Sequence, residues 1–180
     1  MQRFVCSLCA GVAALGLGSV AGYARNELPT SATRDTAESD KAAIEALEKS
    51  FAAAFRARDV DAIMKLYEPG LNLFVFDVTP PRQHVGWDDY KKDWQELFAA
   101  FPGPVKFDIS DLEITAVGAV AYSHSIQSGQ FTAKDGSQID LVARVTDVYR
   151  KIHGKWLVVQ EHVSVPVDLA TGKPDPLSKP

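Results

Sequence analysis

A hairpin near the carboxyl end of the sequence groups acidic, imidazole and aromatic side chains. His153-Gly154 separates two alternating runs, residues 140–152 and 155–165, which is typical of a two-residue β-turn. With Ile152 opposite Lys155, one face would carry Val145, Asp147, Tyr149, Trp156, Val158, Gln160 and His162. Because a charged group is costly to bury unless it is paired, this mixture predicts a pocket lining.

A second turn extends the predicted register by one strand. A two-residue turn at Asp135-Gly136 places His124 opposite Asp147, in a row that continues to Gln160 with His162 on the diagonal. A carboxylate beside an imidazole fixes the tautomer of the ring and supports its charged form. The row therefore predicts either acid–base and ligand-binding chemistry or a satisfied polar network that only specifies the fold.

The strand register decides which side chains face the pocket. One extra residue in a turn or a bulge would turn a whole strand over, because side chains alternate between the two faces. In that rival register Arg144 and Thr146 would point inward and form an anion site.

The first 24 residues have the pattern of a secretory signal. Arg3 precedes an apolar run over residues 4–20, and Gly22-Tyr23-Ala24 offers a small-x-small cleavage site; an uncleaved membrane anchor is the alternative. We therefore expect an exported protein, periplasmic or secreted, that does not bind membrane after cleavage. The net charge of −4 argues against nucleic acid as a partner.

The sequence predicts neither a metal site nor a cofactor. Its histidines have none of the spacings of zinc ligands, and it contains neither a Gly-rich phosphate loop nor a Gly-x-Ser-x-Gly elbow. Cys6 and Cys9 lie within the signal, so we expect no thiol or disulfide chemistry in the mature protein.

Predicted helices precede predicted strands, which indicates an α+β domain over residues 39–165. Residues 25–38 are expected to form a flexible leader, and residues 166–180 an irregular tail. Ser39 or Asp40 would cap the first helix, which runs to about Ala57; a short helix follows Asp59. The remaining predicted elements are a strand at 71–77, a helix at 87–101, and strands at 105–116, 120–134, 137–152 and 155–165.

This order of elements resembles the nuclear transport factor 2-like superfamily, and most closely its SnoaL-like, ketosteroid-isomerase-like domains. The segments that carry the resemblance are Phe51-Ala-Ala-Ala-Phe-Arg-Ala-Arg-Asp59, Val60-Asp-Ala-Ile-Met-Lys-Leu-Tyr67 and Gly154-Lys-Trp-Leu-Val-Val-Gln-Glu-His162-Val-Ser164. The resemblance implies a cone, in which three N-terminal helices pack on a strongly curved, mainly antiparallel sheet around a pocket. It also implies a homodimer through the outer sheet face, where we expect Val148, Leu157, Val159, Val163 and Val165.

Ketosteroid isomerases use an aspartate base, with a tyrosine and a protonated aspartic acid as oxyanion donors. By resemblance, Asp77 lies near the base position and Asp147 matches the second acid. Phe51 occupies the tyrosine position and cannot donate a hydrogen bond, which argues against steroid isomerase activity.

We therefore expect a binding domain for a small apolar or carbonyl-containing molecule. The alternatives are a lyase or isomerase that moves a proton next to a carbonyl, and a structural dimer with a vestigial pocket. The catalytic candidates are Asp77, His124 and Asp147. The expected ligand-binding residues are Tyr67, Asp77, Trp94, His124, Asp147, Tyr149, Gln160 and His162. Trp94 shares a helix face with Tyr90 and Phe98, where it could instead be plain core.

Overall fold

This computed structural model describes residues 31–178, in which two helices precede the first two strands and a third helix precedes the four long strands. The helices are α1 (Ser31–Ala57), α2 (Val60–Met64) and α3 (Trp87–Ala100). The strands are β1 (Phe74–Phe76), β2 (His84–Val85), β3 (Lys106–Val117), β4 (Val120–Thr132), β5 (Gln138–Ile152), β6 (Lys155–Ser164), β7 (Val167–Asp168) and β8 (Lys173–Pro174).

The ends of the domain differ from the sequence expectation. Helix α1 begins at Ser31 rather than at Ser39, so residues 31–38 of the expected leader are helical. No glycine or proline interrupts the sequence from Ser31 to Ala57, so the helix can extend. The expected irregular tail contains the β7–β8 hairpin. The predicted signal at residues 1–24 lies outside the described residues.

Six strands form one sheet in the order β2-β1-β6-β5-β4-β3, and only β1 and β6 pair in parallel. This confirms the predicted α+β class and the mainly antiparallel sheet. The predicted turn between β5 and β6 is also confirmed, since Ile152 pairs with Lys155. His153 and Gly154 both have positive φ, 49° and 79°, as a type I′ turn requires.

A bulge in β6 changes the predicted register beyond this turn. Tyr149 pairs with Val158, but the next residue of β5, Val148, pairs with Gln160, so Val159 is the extra residue. Asp147 consequently lies opposite Glu161 rather than Gln160.

The loop between β4 and β5 is longer than the predicted two-residue turn. Thr132 pairs with Gln138, and the backbone N–H of Ala133 donates to the carbonyl oxygen of Ser137 at 2.9 Å. Three residues, 134–136, therefore form the loop. Gly136 has φ 84°, as expected for the glycine that ends a three-residue hairpin loop.

This extra loop residue shifts the pairing of β4 with β5 by one position. Asp147 pairs with Ser123 instead of His124, and His124 is exposed opposite Thr146. Arg144 and Thr146 are also exposed, so the rival inward register is wrong as well. Asp147 faces inward, as predicted, but its cross-strand neighbours are Ser123 and Glu161 rather than His124 and Gln160.

An aromatic cluster joins α1, α3 and the inner face of the sheet. Phe55 of α1 stacks on Phe107 of β3 with ring centroids 4.1 Å apart. Trp94 and Phe98 of α3 meet the same Phe55 ring edge-on at 5.2 and 5.6 Å. Such pairs stabilise a core beyond the apolar area that they bury, so Phe55 anchors the helical layer to the sheet.

Replacing Phe55 with alanine should lower the free energy of unfolding by about 3 kcal/mol, because the Phe55 ring is 4% exposed and holds both layers. Urea denaturation followed by circular dichroism measures this loss. The matched control is Val117→Ala, at a side chain that is 74% exposed, which should change stability by less than about 0.5 kcal/mol. Equal effects of the two substitutions would contradict this description of the core.

Candidate functional site

A cavity of about 380 Å³ lies between the helices and the inner face of the sheet. Most of its wall is aromatic or aliphatic and includes Phe51, Phe55, Trp94, Phe101, Phe107 and Phe131. Four carboxyl groups also line it, those of Asp77, Asp93, Asp140 and Glu161, and none of its lining residues is lysine, arginine or histidine. The cavity is therefore apolar with acidic groups in its wall.

Asp77 and Asp93 form a carboxyl pair in this wall. Asp77 follows the end of β1, and Asp93 lies on α3 within hydrogen-bonding reach of it. Burial raises the pKa of Asp77 above its ordinary value. Burial, and then the negative charge of Asp77, raise the pKa of Asp93 to about 6. Two close carboxylates resist ionising together, so the pair retains a proton in mildly acidic solution.

Glu161 is a third carboxyl group of the cavity and is held by two tyrosines. The hydroxyl of Tyr67 donates to Oε2 of Glu161 at 2.5 Å, and the hydroxyl of Tyr90 donates to Oε1 at 2.8 Å. Burial raises the pKa of Glu161 to about 7, although both hydrogen bonds favour its charged form. Glu161 can therefore exchange a proton near neutral pH.

A second cluster of acidic side chains, Glu48 and Asp147, lies behind Glu161 around a small cavity of about 10 Å³. Burial, followed by the charges of Glu161 and Glu48, raises the pKa of Asp147 well above its ordinary value. Within the described chain, Oδ1 of Asp147 has no hydrogen-bond partner. The hydroxyl of Tyr149 donates to Glu48 at 2.7 Å and lies 2.8 Å from Oγ of Ser123. Glu161 lines both cavities and so connects the two acidic groups.

The tail after β6 closes one end of the main cavity. The pairing of β6 with β5 ends at Ser164, which leaves part of β5 open on that side. The N–H of Val142 there donates to the carbonyl oxygen of Pro176 at 2.9 Å. Pro174 and Pro176 line the cavity, so residues 174–176 form a strap across it.

The structure brings together five of the eight residues predicted to bind ligand. Asp77 and Trp94 line the main cavity, and Tyr67 and Asp147 line the small one. Tyr149 is buried and donates to Glu48, which also lines the small cavity. The other three line neither cavity and are exposed on the outer face instead: His124, Gln160 and His162. The longer loop turns His124 outward, and the bulge at Val159 does the same to Gln160 and His162.

Sequence reasoning missed several acidic and aromatic residues of the site. Glu48 lies four residues after Ile44 and three before Phe51, on the apolar stripe of α1, and this spacing could have revealed it. Asp93 is likewise one turn from Tyr90. In the predicted register Glu161 alternates with Gln160 and His162 and would face outward, and only the bulge places it inside.

Residues 31–178 contain neither a cluster of metal ligands nor a membrane-spanning helix. No three histidine, cysteine, aspartate or glutamate side chains in this range are grouped so that they could hold a metal ion. No helix in the same range has the length and apolar character needed to cross a membrane.

Substituting Glu161 with glutamine should reduce the pH dependence of stability. The raised pKa of Glu161 does not lower the free energy of unfolding below pH 4.5, its ordinary pKa. It lowers that free energy by the full amount above about pH 7. The wild-type protein should therefore lose up to about 3 kcal/mol more than the variant between pH 5 and pH 8. Urea denaturation at both pH values measures this difference. The exposed Glu113→Gln is the control, and a variant that loses as much as the wild type would contradict the assignment.

Comparisons with known proteins agree with this architecture. A family model for the SnoaL-like domain matches residues 44–168. A nuclear transport factor 2-like protein of unknown function from Pseudomonas putida KT2440 is 27% identical, covers 79% of this chain and 98% of its own, and superposes with a TM-score of 0.72. No curated protein is significantly similar in sequence.

More distant structures share the fold alone. A putative scytalone dehydratase from Novosphingobium aromaticivorans is 18% identical over 82% of this chain and 99% of its own, with a TM-score of 0.66. A ketosteroid isomerase-like protein from Erwinia carotovora is 20% identical over 68% and 93%, with a TM-score of 0.59. The predicted resemblance is confirmed: the chain belongs to the SnoaL-like domain family of the nuclear transport factor 2-like superfamily.

Proposed function

We propose that this protein binds a small, largely apolar molecule with an uncharged oxygen group and moves a proton next to a carbonyl, as a lyase or isomerase. One observation carries this proposal: Asp77, Asp93 and Glu161 line a single cavity whose wall is otherwise mainly apolar. Its volume of about 380 Å³ is within the range of small-molecule sites.

The charge of the wall selects the class of ligand. Because the cavity is lined by acidic residues and by no basic residue, a carboxylate or phosphate would meet repulsion and would lose its hydration without compensation. A ketone, an enone or an alcohol carries no such cost and can accept a hydrogen bond from a protonated carboxyl group. The structure therefore favours a neutral oxygenated ligand.

The carboxyl groups divide the chemistry between them. Asp77, in its ionised form, is the base that takes a proton from carbon, and Asp93 shares the proton of the pair. Glu161, in its protonated form, donates to the carbonyl or hydroxyl oxygen of the ligand. A general acid or base works best when its pKa is near the working pH, and the values of about 6 for Asp93 and about 7 for Glu161 meet this condition.

A binding protein without catalysis is the second candidate. Phe51 replaces the tyrosine that the isomerases use as an oxyanion donor. The hydroxyl groups of Tyr67 and Tyr90 already donate to Glu161. These contacts would remove two donors from the reach of a ligand and would leave a cavity that only holds it.

We also propose a homodimer through the outer sheet face. Val148, Leu157 and Val159 are partly buried there, and the nearby Tyr122 is 51% exposed. Val163 and Val165, expected on the same patch, line the internal cavity instead and do not contribute. A Tyr122→Glu variant should sediment as a monomer and the wild type as a dimer; a monomeric wild type would exclude this interface.

The signal-like segment at residues 1–24 supports export to the periplasm or beyond. The intact mass of the full chain, recovered after expression in a Gram-negative host, tests this proposal. Retention of residues 1–24 in a cytoplasmic fraction would contradict it.

Hydrogen exchange into a ligand tests the proposed chemistry directly. Native mass spectrometry of the purified protein first shows whether a small molecule is bound and gives its mass. That compound, together with a panel of cyclic enones and β-hydroxyketones, is then incubated with the protein in D₂O. We expect proton NMR to show deuterium next to the carbonyl. The rate of this exchange should fall by at least about 100-fold in Asp77→Asn.

Asp88 provides the matched control, because it is an exposed carboxyl group that does not line the cavity. Asp88→Asn should exchange at the wild-type rate. If a compound binds but no deuterium enters it, the binding-only alternative is correct. If Asp77→Asn is as active as the wild type, Asp77 is not the base.

A further inference from the structure

A buried histidine lies directly behind the carboxyl pair of the cavity. His84 on β2 is 4% exposed and pairs with Val75 of β1. Its Nε2 lies 3.6 Å from Oδ1 of Asp93, and its Nδ1 lies 3.4 Å from Oδ2 of Asp89. These are ion-pair distances, and in the described chain neither ring nitrogen has a hydrogen-bond partner. Each nitrogen of the ring thus faces one carboxyl group.

These groups form a continuous path from solvent to the cavity. The side chain of Asp89 is 51% exposed, whereas that of Asp93 is 17% exposed. Asp93 is within hydrogen-bonding reach of Asp77, and both line the cavity. The path therefore runs from Asp89 at the surface through His84 to the Asp93–Asp77 pair.

Few other titratable groups face His84. The ring of Tyr90 is 5.6 Å away, and its hydroxyl donates to Glu161 rather than to the imidazole. Asp77 also interacts electrostatically with the imidazole. The groups around His84 are therefore acidic or neutral.

We propose that His84 relays protons between the Asp77–Asp93 pair and Asp89, which exchanges them with solvent. In the outward direction, a ring that carries its proton on Nδ1 alone accepts the proton of Asp93 at Nε2 and becomes positively charged, and the proton on Nδ1 then moves to the Asp89 carboxylate. Uptake reverses both transfers, so the ring returns to its starting tautomer. The use of this path in turnover rests on the proposed function. The linkage between the four groups, by which the charge of one changes the pKa of another, does not.

The linkage has a measurable sign. The positive charge of His84 lowers the pKa values of Asp77 and Asp93, against the larger effect of their burial. Removing that charge should raise the pH at which the pair ionises. Removing Asp89, the ion-pair partner of Nδ1 of His84, should act in the same direction more weakly.

Carbon-13 NMR of the aspartate carboxyl groups, recorded on ligand-free protein between pH 4 and 9, tests this linkage. In His84→Gln the midpoint of Asp93 should rise by on the order of one pH unit. Asp89→Asn should raise it by less, since asparagine can still accept the 3.1 Å hydrogen bond from the N–H of Val85. His124→Gln, at an exposed histidine on the outer face, should leave it unchanged.

The outcomes separate this inference from the proposed function. Unchanged Asp93 midpoints in a folded His84→Gln and in Asp89→Asn would overturn the linkage, whatever the activity. If His84→Gln does not fold, Asp89→Asn alone decides, because its side chain is at the surface. Shifted midpoints in a protein that exchanges no deuterium into any compound would support the linkage and refute the proposed catalysis.

Discussion

The burial of carboxyl groups inside an apolar cone is the constraint on which the rest of this structure depends. The cone encloses five of them, those of Glu48, Asp77, Asp93, Asp147 and Glu161. Burial is the largest cause of the raised pKa of each. An ionised carboxylate in such surroundings must be paired, hydrogen-bonded or protonated. Tyrosine hydroxyl groups donate to Glu48 and Glu161, and the N–H of Val78 donates to Asp77. No lysine or arginine of the described chain pairs with any of the five groups, so the site can hold protons.

Two irregularities of the sheet bring these groups together. The bulge at Val159 turns Glu161 inward opposite Asp147, and the three-residue loop before β5 pairs Asp147 with Ser123. The element order, the fold class, the turn at His153-Gly154 and the inward position of Asp147 could be predicted, because they follow from periodicity and turn chemistry. The partners of Asp147 could not, because a bulge has no reliable sequence signal and one displaced residue exchanges the two faces of a strand.

The fold itself does not determine the chemistry, since related cones occur in proteins described as dehydratases and isomerase-like proteins and in proteins of unknown function. The chemistry available to this chain depends on the distribution of its polar groups. A carboxyl pair lies at one wall, a tyrosine-bound glutamate lies at another, and a strap from the tail closes the cavity. Pro174 and Pro176 of the strap lie beyond residue 168, where the family match ends, so that end of the cavity is shaped by residues outside the matched domain.

The location of protons in the ligand-free site tests the central claim most directly. Neutron diffraction from a crystal exchanged into D₂O near pH 5 would show deuterium atoms on the carboxyl groups. We expect one deuterium on the Asp77–Asp93 pair and one on Glu161, because the pKa values of Asp93 and Glu161 are about 6 and 7. Fully ionised carboxylates at all three residues would contradict this expectation and would show that the carboxyl groups of the cavity wall do not hold protons at this pH.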